Sequence, residues 1–221
     1  MPKFMRPCLA LLAAALIVSP PSSFAYYTPM SEQAVREAYF LGQSHNGSYE
    51  AQLEKHTKFL PPPKTGPHIS SVVFMTPFLL FAEYASRQPN YSAPQAAIDY
   101  RSQGEEIVRI LVEIQLTPSY GQFLSTPENS GSNSPSGFIL RTSDSWRDFQ
   151  VHIYDGDELI STSAFHGHAN YLCGKYGCTL IGATLEFEFP AVAFTADTAT
   201  IDVVPPEGDP VSVEFNLNSL R

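Results

Sequence analysis

The sequence predicts an α+β protein: an antiparallel β-sandwich of about seven or eight strands with short N-terminal helices packed against it. Three observations carry that expectation. Residues 105–217 alternate apolar and polar side chains in short runs separated by turn residues. Residues 31–104 show helical spacing, with Ser or Thr at the starts and Gly or Pro at the stops. The 221-residue chain also holds 15 Phe and 11 Tyr, enough to build a packed core.

The first 25 residues stand apart. Lys3 and Arg6 precede an unbroken apolar run from Cys8 to Val18. Ser19 to Ala25 then breaks the run and sets the small residues Ser23 and Ala25 two apart. This is the layout of a cleavable secretory signal, with cleavage after Ala25. The run falls well short of the roughly 20 residues needed to cross a bilayer, so no membrane span is expected after cleavage. The expected organisation is a signal peptide over 1–25, a helical N-terminal segment over 26–104 docked on the sandwich, and the β-sandwich over 105–221.

Each element has a local reason. Ser31 caps a helix running to Leu41, with Ala34, Val35, Ala38 and Leu41 on one face and Gly42 as its stop. A second helix starts at Ser48, places Tyr49, Leu53, His56 and Leu60 on one face, and ends at Pro61. Ile69 to Met75 is rich in β-branched residues and reads as a strand. Thr76-Pro77 opens a helix to Ser86, and Ser92 to Pro94 opens another that Gly104 closes.

From Glu105 the period becomes two. Ile110, Val112, Ile114 and Leu116 form one face of the clearest strand. A polar, Ser-rich loop fills 125–137, and a short strand is expected from Phe138 to Arg141. Phe149, Val151 and Ile153 alternate into Asp155-Gly156, a hairpin signal leading to Glu158–Ser163. Leu185, Phe187 and Phe189 mark another strand. The last pair is Thr200–Val204 and Val211–Leu217.

Charge narrows the function classes. The full sequence carries a net −9, and losing the signal removes two cations and no acid. An acidic surface without a basic stripe repels phosphate backbones, so nucleic acid is not an expected partner. Cys173 and Cys178 are the two cysteines left after cleavage. In an oxidising compartment so close a pair forms a disulfide, worth about 2 kcal/mol by loop closure.

The residues that suggest chemistry are few. His166 and His168 are two apart and share a side of any extended segment, so they are candidate metal ligands, for zinc or copper. The competing reading is a surface loop whose histidines bond backbone or water. Two thiolates from Cys173 and Cys178 would complete a tetrahedral set, but a disulfide removes them; His152 or Asn170 could then contribute. Asp155-Gly156-Asp157-Glu158 lacks the ligand spacing of a calcium loop and is read as a turn. Gly42 to Gly47 contains Ser44-His45, but adjacent residues do not face each other as a catalytic pair must. No G-x-S-x-G, phosphate loop or dinucleotide fingerprint is present. Tyr171 and Tyr176, on a loop pinned by the disulfide, are the candidate binding surface.

The expectation is therefore an exported protein, periplasmic or secreted. It is read as a non-catalytic binding or cell-envelope-associated module whose ligand is an unknown protein or glycan, with no cofactor. The alternative is a metal-binding protein or metal-dependent enzyme centred on the His166/His168 loop.

Overall fold

A computed structural model describes residues 28–121, 123–125 and 138–220. The expected signal segment 1–25, and all of the expected polar loop except Ser125, lie outside the described residues. The described residues contain four α-helices: α1 (Glu32–Gly42), α2 (Ser48–Lys55), α3 (Pro77–Ser86) and α4 (Ala93–Ser102). The Ser31 hydroxyl accepts from the Ala34 N–H at 3.2 Å and starts α1 as expected. Gly42 has a different role from the stop signal assigned to it. It lies inside the last turn, where a Cβ would sit 2.1 Å from the Ala82 carbonyl oxygen, so glycine permits the close approach of α1 to α3.

The predicted helix from Ser48 to Leu60 is cut short. It ends at Lys55, and Thr57–Phe59 becomes a strand, β1, antiparallel to β2 (His68–Met75), with Thr57 opposite Val73 and Phe59 opposite Ser71. Cross-strand pairing here overrides a locally helical pattern. At the switch point, His56 is fully buried with Nδ1 3.0 Å from the Phe74 carbonyl oxygen.

Two antiparallel sheets form the sandwich. The larger has the order β1–β2–β3–β9–β8, with β3 (Ile107–Gln115), β8 (Ala164–Gly174) and β9 (Gly177–Pro190). The smaller has the order β11–β10–β6–β7, with β6 (Gln150–Asp155), β7 (Glu158–Leu159), β10 (Thr198–Val204) and β11 (Val211–Asn216). A separate pair joins β4 (Phe123–Ser125) to β5 (Phe138–Leu140). The expected fold class thus holds, with nine strands in the two sheets instead of seven or eight. Because β1 and β2 come from the N-terminal part of the chain, that part is woven into the larger sheet as well as packed on it.

The core lies between the sheets. Val72, Phe74, Ile110, Val112, Leu185 and Phe187 meet Ile153, Ile201, Val203, Val213 and Phe215. Full burial of each such side chain stabilises the fold by about 1.5–3 kcal/mol before entropy is counted. The helices cover only part of the larger sheet's outer face. Val73 and Met75 of β2 pack with Leu79 of α3, and Leu41, Tyr49, Leu53 and Leu111 close around them. The outer face over β9 and β8 carries no helix among the described residues and is polar.

Candidate functional site

The β8–β9 hairpin ends in an exposed tip, and its length explains why. β3 pairs with β9 only from Pro190 to Gly182, whereas β8 stays paired with β9 as far as Gly174 opposite Gly177. The last pairs of the hairpin therefore run beyond the end of β3. A bulge marks the departure point: Asn170 faces Gly182 and Tyr171 faces Leu180, leaving Ile181 unpaired. The Ile181 carbonyl accepts from the Leu116 N–H at 2.9 Å, which fixes the bulge to the sheet. At Gly182 a Cβ would lie 1.9 Å from the Ile114 carbonyl oxygen, so the strands approach there only because the residue is glycine.

The sequence reads Tyr171 to Tyr176 as a loop. The structure corrects this: strand geometry continues to Gly174, and only Lys175 and Tyr176 form the turn. The expected disulfide is present. Cys173 and Cys178 are directly opposed across the hairpin, with Cα atoms 3.9 Å apart. This staple clamps a tip on which Tyr171 is 50%, Leu172 66% and Tyr176 97% exposed. The Lys175 ammonium stands 5.7 Å from the Tyr176 ring centroid.

His166 and His168 lie further down the same strand, both exposed. The register sets His166 opposite Glu186 and His168 opposite Thr184, so both imidazoles share the polar outer face of the sheet. That face is already hydrogen-bonded. Arg109 holds Glu186 at 2.7 Å and Glu188 at 2.8 Å. The Thr184 hydroxyl donates to Glu113 at 3.0 Å, and the Asn170 amide donates to Thr184 at 3.0 Å. Cys173 and Cys178 are oxidised and sit at the tip, and His152 belongs to the other sheet, opposite Asp202. Among the described residues, no group of three or more His, Cys, Asp or Glu side chains is arranged to hold a metal ion.

Gly167, between the two histidines, serves packing on the opposite side of the strand. A Cβ there would lie 2.4 Å from the Trp146 ring, which also meets Phe165 edge-on at 5.5 Å between centroids. Phe165 in turn stacks on Phe187 at 4.6 Å.

A cleft elsewhere in the fold is marked by no sequence motif. A cleft of about 660 Å³ opens between α3, α4 and the start of β3, lined in part by Met30, Phe81, Tyr84, Tyr100, Glu106 and Arg109. Glu106 is taken up by the chain itself, accepting from the Met30 N–H at 2.8 Å, the Thr28 hydroxyl at 2.5 Å and the Tyr100 hydroxyl. Burial, and then the bond to Glu106, push the Tyr100 phenol well above its ordinary pKa and keep it protonated as a donor. Arg109 is held by Glu186 and Glu188, and Arg87 by Glu83. The cleft has the shape of a binding site, with its main charged groups already paired.

The remaining candidates are structural. The Ser44 hydroxyl bonds Asn46 and Ser48 in the loop between helices. Tyr91 donates to Asp99 at 2.8 Å and accepts at its backbone oxygen from the Tyr39 hydroxyl, tying α1 to α4. Comparison with known protein families and with curated proteins found no match.

Proposed function

We propose that this chain is an exported, non-catalytic binding module, associated with the cell envelope or its exterior, that engages a protein or glycan through the stapled β8–β9 tip. One observation carries the reading: an aromatic tip, with Tyr176 97% exposed, is held rigid by a disulfide on a strand pair that outruns its sheet. Tyrosine offers wide, amphipathic contact area at low entropy cost, and a stapled hairpin loses little freedom on binding. The disulfide is in keeping with an oxidising compartment. The test is affinity capture from envelope and extracellular fractions with the protein and with a Tyr171→Ala/Tyr176→Ala variant. Stoichiometric capture of one protein or glycan, lost in the variant, supports the reading. Turnover of an ester, glycoside or peptide substrate overturns it.

The second reading, a metal-binding protein, is favoured by His166 and His168 lying on one face at adjacent outward positions. Zinc or copper titration of the protein against a His166→Ala/His168→Ala variant decides it. Equal uptake by both ends that reading.

A further inference from the structure

Strand β8 forms one edge of the larger sheet and pairs only with β9 among the described residues. It runs 11 residues without a charged side chain or a proline. The other edge strands of the two sheets are guarded. β1 is 3 residues long and carries Lys58, β7 is 2 residues long and carries Glu158, and β11 carries Glu214. Shortness, charge, proline and bulges are among the devices by which sheet edges avoid pairing with other chains. β8 has none of the first three, and the bulge beside Asn170 and Tyr171 puts its extra residue, Ile181, on β9 and not on the edge strand.

The side chains of β8 also read the same way in both directions about His168. Gly167 and Ala169 are small, and His166 and Asn170 are polar. Phe165 and Tyr171 are aromatic, and Ala164 and Leu172 are aliphatic. An antiparallel copy centred on His168 sets each residue against one of its own class, as an isologous twofold contact requires. Such a contact would cover Phe165, Tyr171 and Leu172, which are 42%, 50% and 66% exposed. Charge does not bar this edge: the chain carries a net −9, but β8 itself holds no Asp or Glu, and Glu186 and Glu188 on the neighbouring strand are paired with Arg109.

We propose that two copies of this chain pair antiparallel through β8, about a twofold axis at His168, joining their larger sheets into one continuous sheet. Phe165 of one copy packs on Tyr171 of the partner subunit, and Ala164 on Leu172 of the partner subunit. The stapled tips beyond Leu172 run past the pairing in opposite directions and stay open to other ligands. Tyr171 is thereby shared between this contact and the proposed binding tip, whereas Tyr176 lies beyond the pairing, so Tyr176→Ala alone tests ligand capture without touching the dimer.

Sedimentation of the purified protein over a wide concentration range tests it. The expected result is a species of twice the chain mass that dissociates on dilution. His168→Lys brings two ammonium groups together at the axis and should weaken the dimer by at least about tenfold. His168→Cys should give a covalent dimer on mild oxidation, released by reductant. A monomer at every concentration overturns the proposal. So does a dimer that is indifferent to His168→Lys and not captured by His168→Cys, since it would use another face. If His168→Lys fails to fold, as judged by circular dichroism, the cysteine variant decides alone.

Discussion

The Asp155 carboxylate accepts from both the backbone N–H and the hydroxyl of Thr195, at 2.8 and 2.9 Å. The Ala196 N–H adds a contact to Oδ1 at 3.0 Å. A residue read from sequence as part of a hairpin turn therefore ties the end of β6 to the segment entering β10. Asp155→Ala leaves these donors unpaired at a buried site and should cost about 2–4 kcal/mol of unfolding free energy, with Asp155→Asn costing less. Urea denaturation measures both. A loss within about 0.5 kcal/mol for the alanine variant would show the tie to be dispensable.

His56 makes stability depend on pH. Burial lowers its pKa below the ordinary 6.5, and this outweighs the hydrogen bond to Phe74. Above that ordinary value both folded and unfolded states hold the neutral ring, and the contribution is constant. As pH falls below it, the unfolded chain takes up a proton that the folded chain resists, so stability drops. Thermal melts between about pH 7 and pH 5 should show this slope, and His56→Gln should flatten it whatever its effect on absolute stability. An unchanged slope in the variant would assign the effect to other groups.

Gly167→Ala should drive the added methyl into the Trp146 ring. The expected cost is about 1–3 kcal/mol, the usual penalty for overpacking. Trp146 is the single tryptophan of the chain, so its emission reports the displacement directly. Unshifted emission with unchanged stability would mean that the indole moves aside freely.

The staple at the tip should matter little to the sandwich. Replacing Cys173 and Cys178 together with Ser removes a closed loop of about six residues, so the loss should not exceed about 2 kcal/mol. Partner capture by the tip should fall while the cooperative melt of the sandwich persists. Collapse of the whole fold would place the hairpin in the stability core.

The strands that alternate cleanly were legible in the sequence. β3 buries every second residue, and Thr76-Pro77 opens α3 where expected. What was hidden depended on partners distant in the chain. β1 looks helical until β2 lies beside it. β8 hides because its inward positions include Gly167 and Ala169, small where a strand signal would be large, while its edge location leaves Phe165 and Tyr171 exposed. The disulfide was legible in the close spacing of Cys173 and Cys178. The cleft beside α4 was not, because Glu106 acquires its partners from Thr28 and Met30, more than seventy residues away.

The ring closed by Cys173 and Cys178 contains one basic residue, Lys175, in the turn itself. A protease that cuts after lysine would open the turn without separating the two ends, because the disulfide spans the break. The nicked molecule would gain the mass of one water and migrate as an intact chain until reductant divides it. Damage to the tip would therefore leave the sandwich whole and the chain in one piece, and only the proposed binding surface would register it.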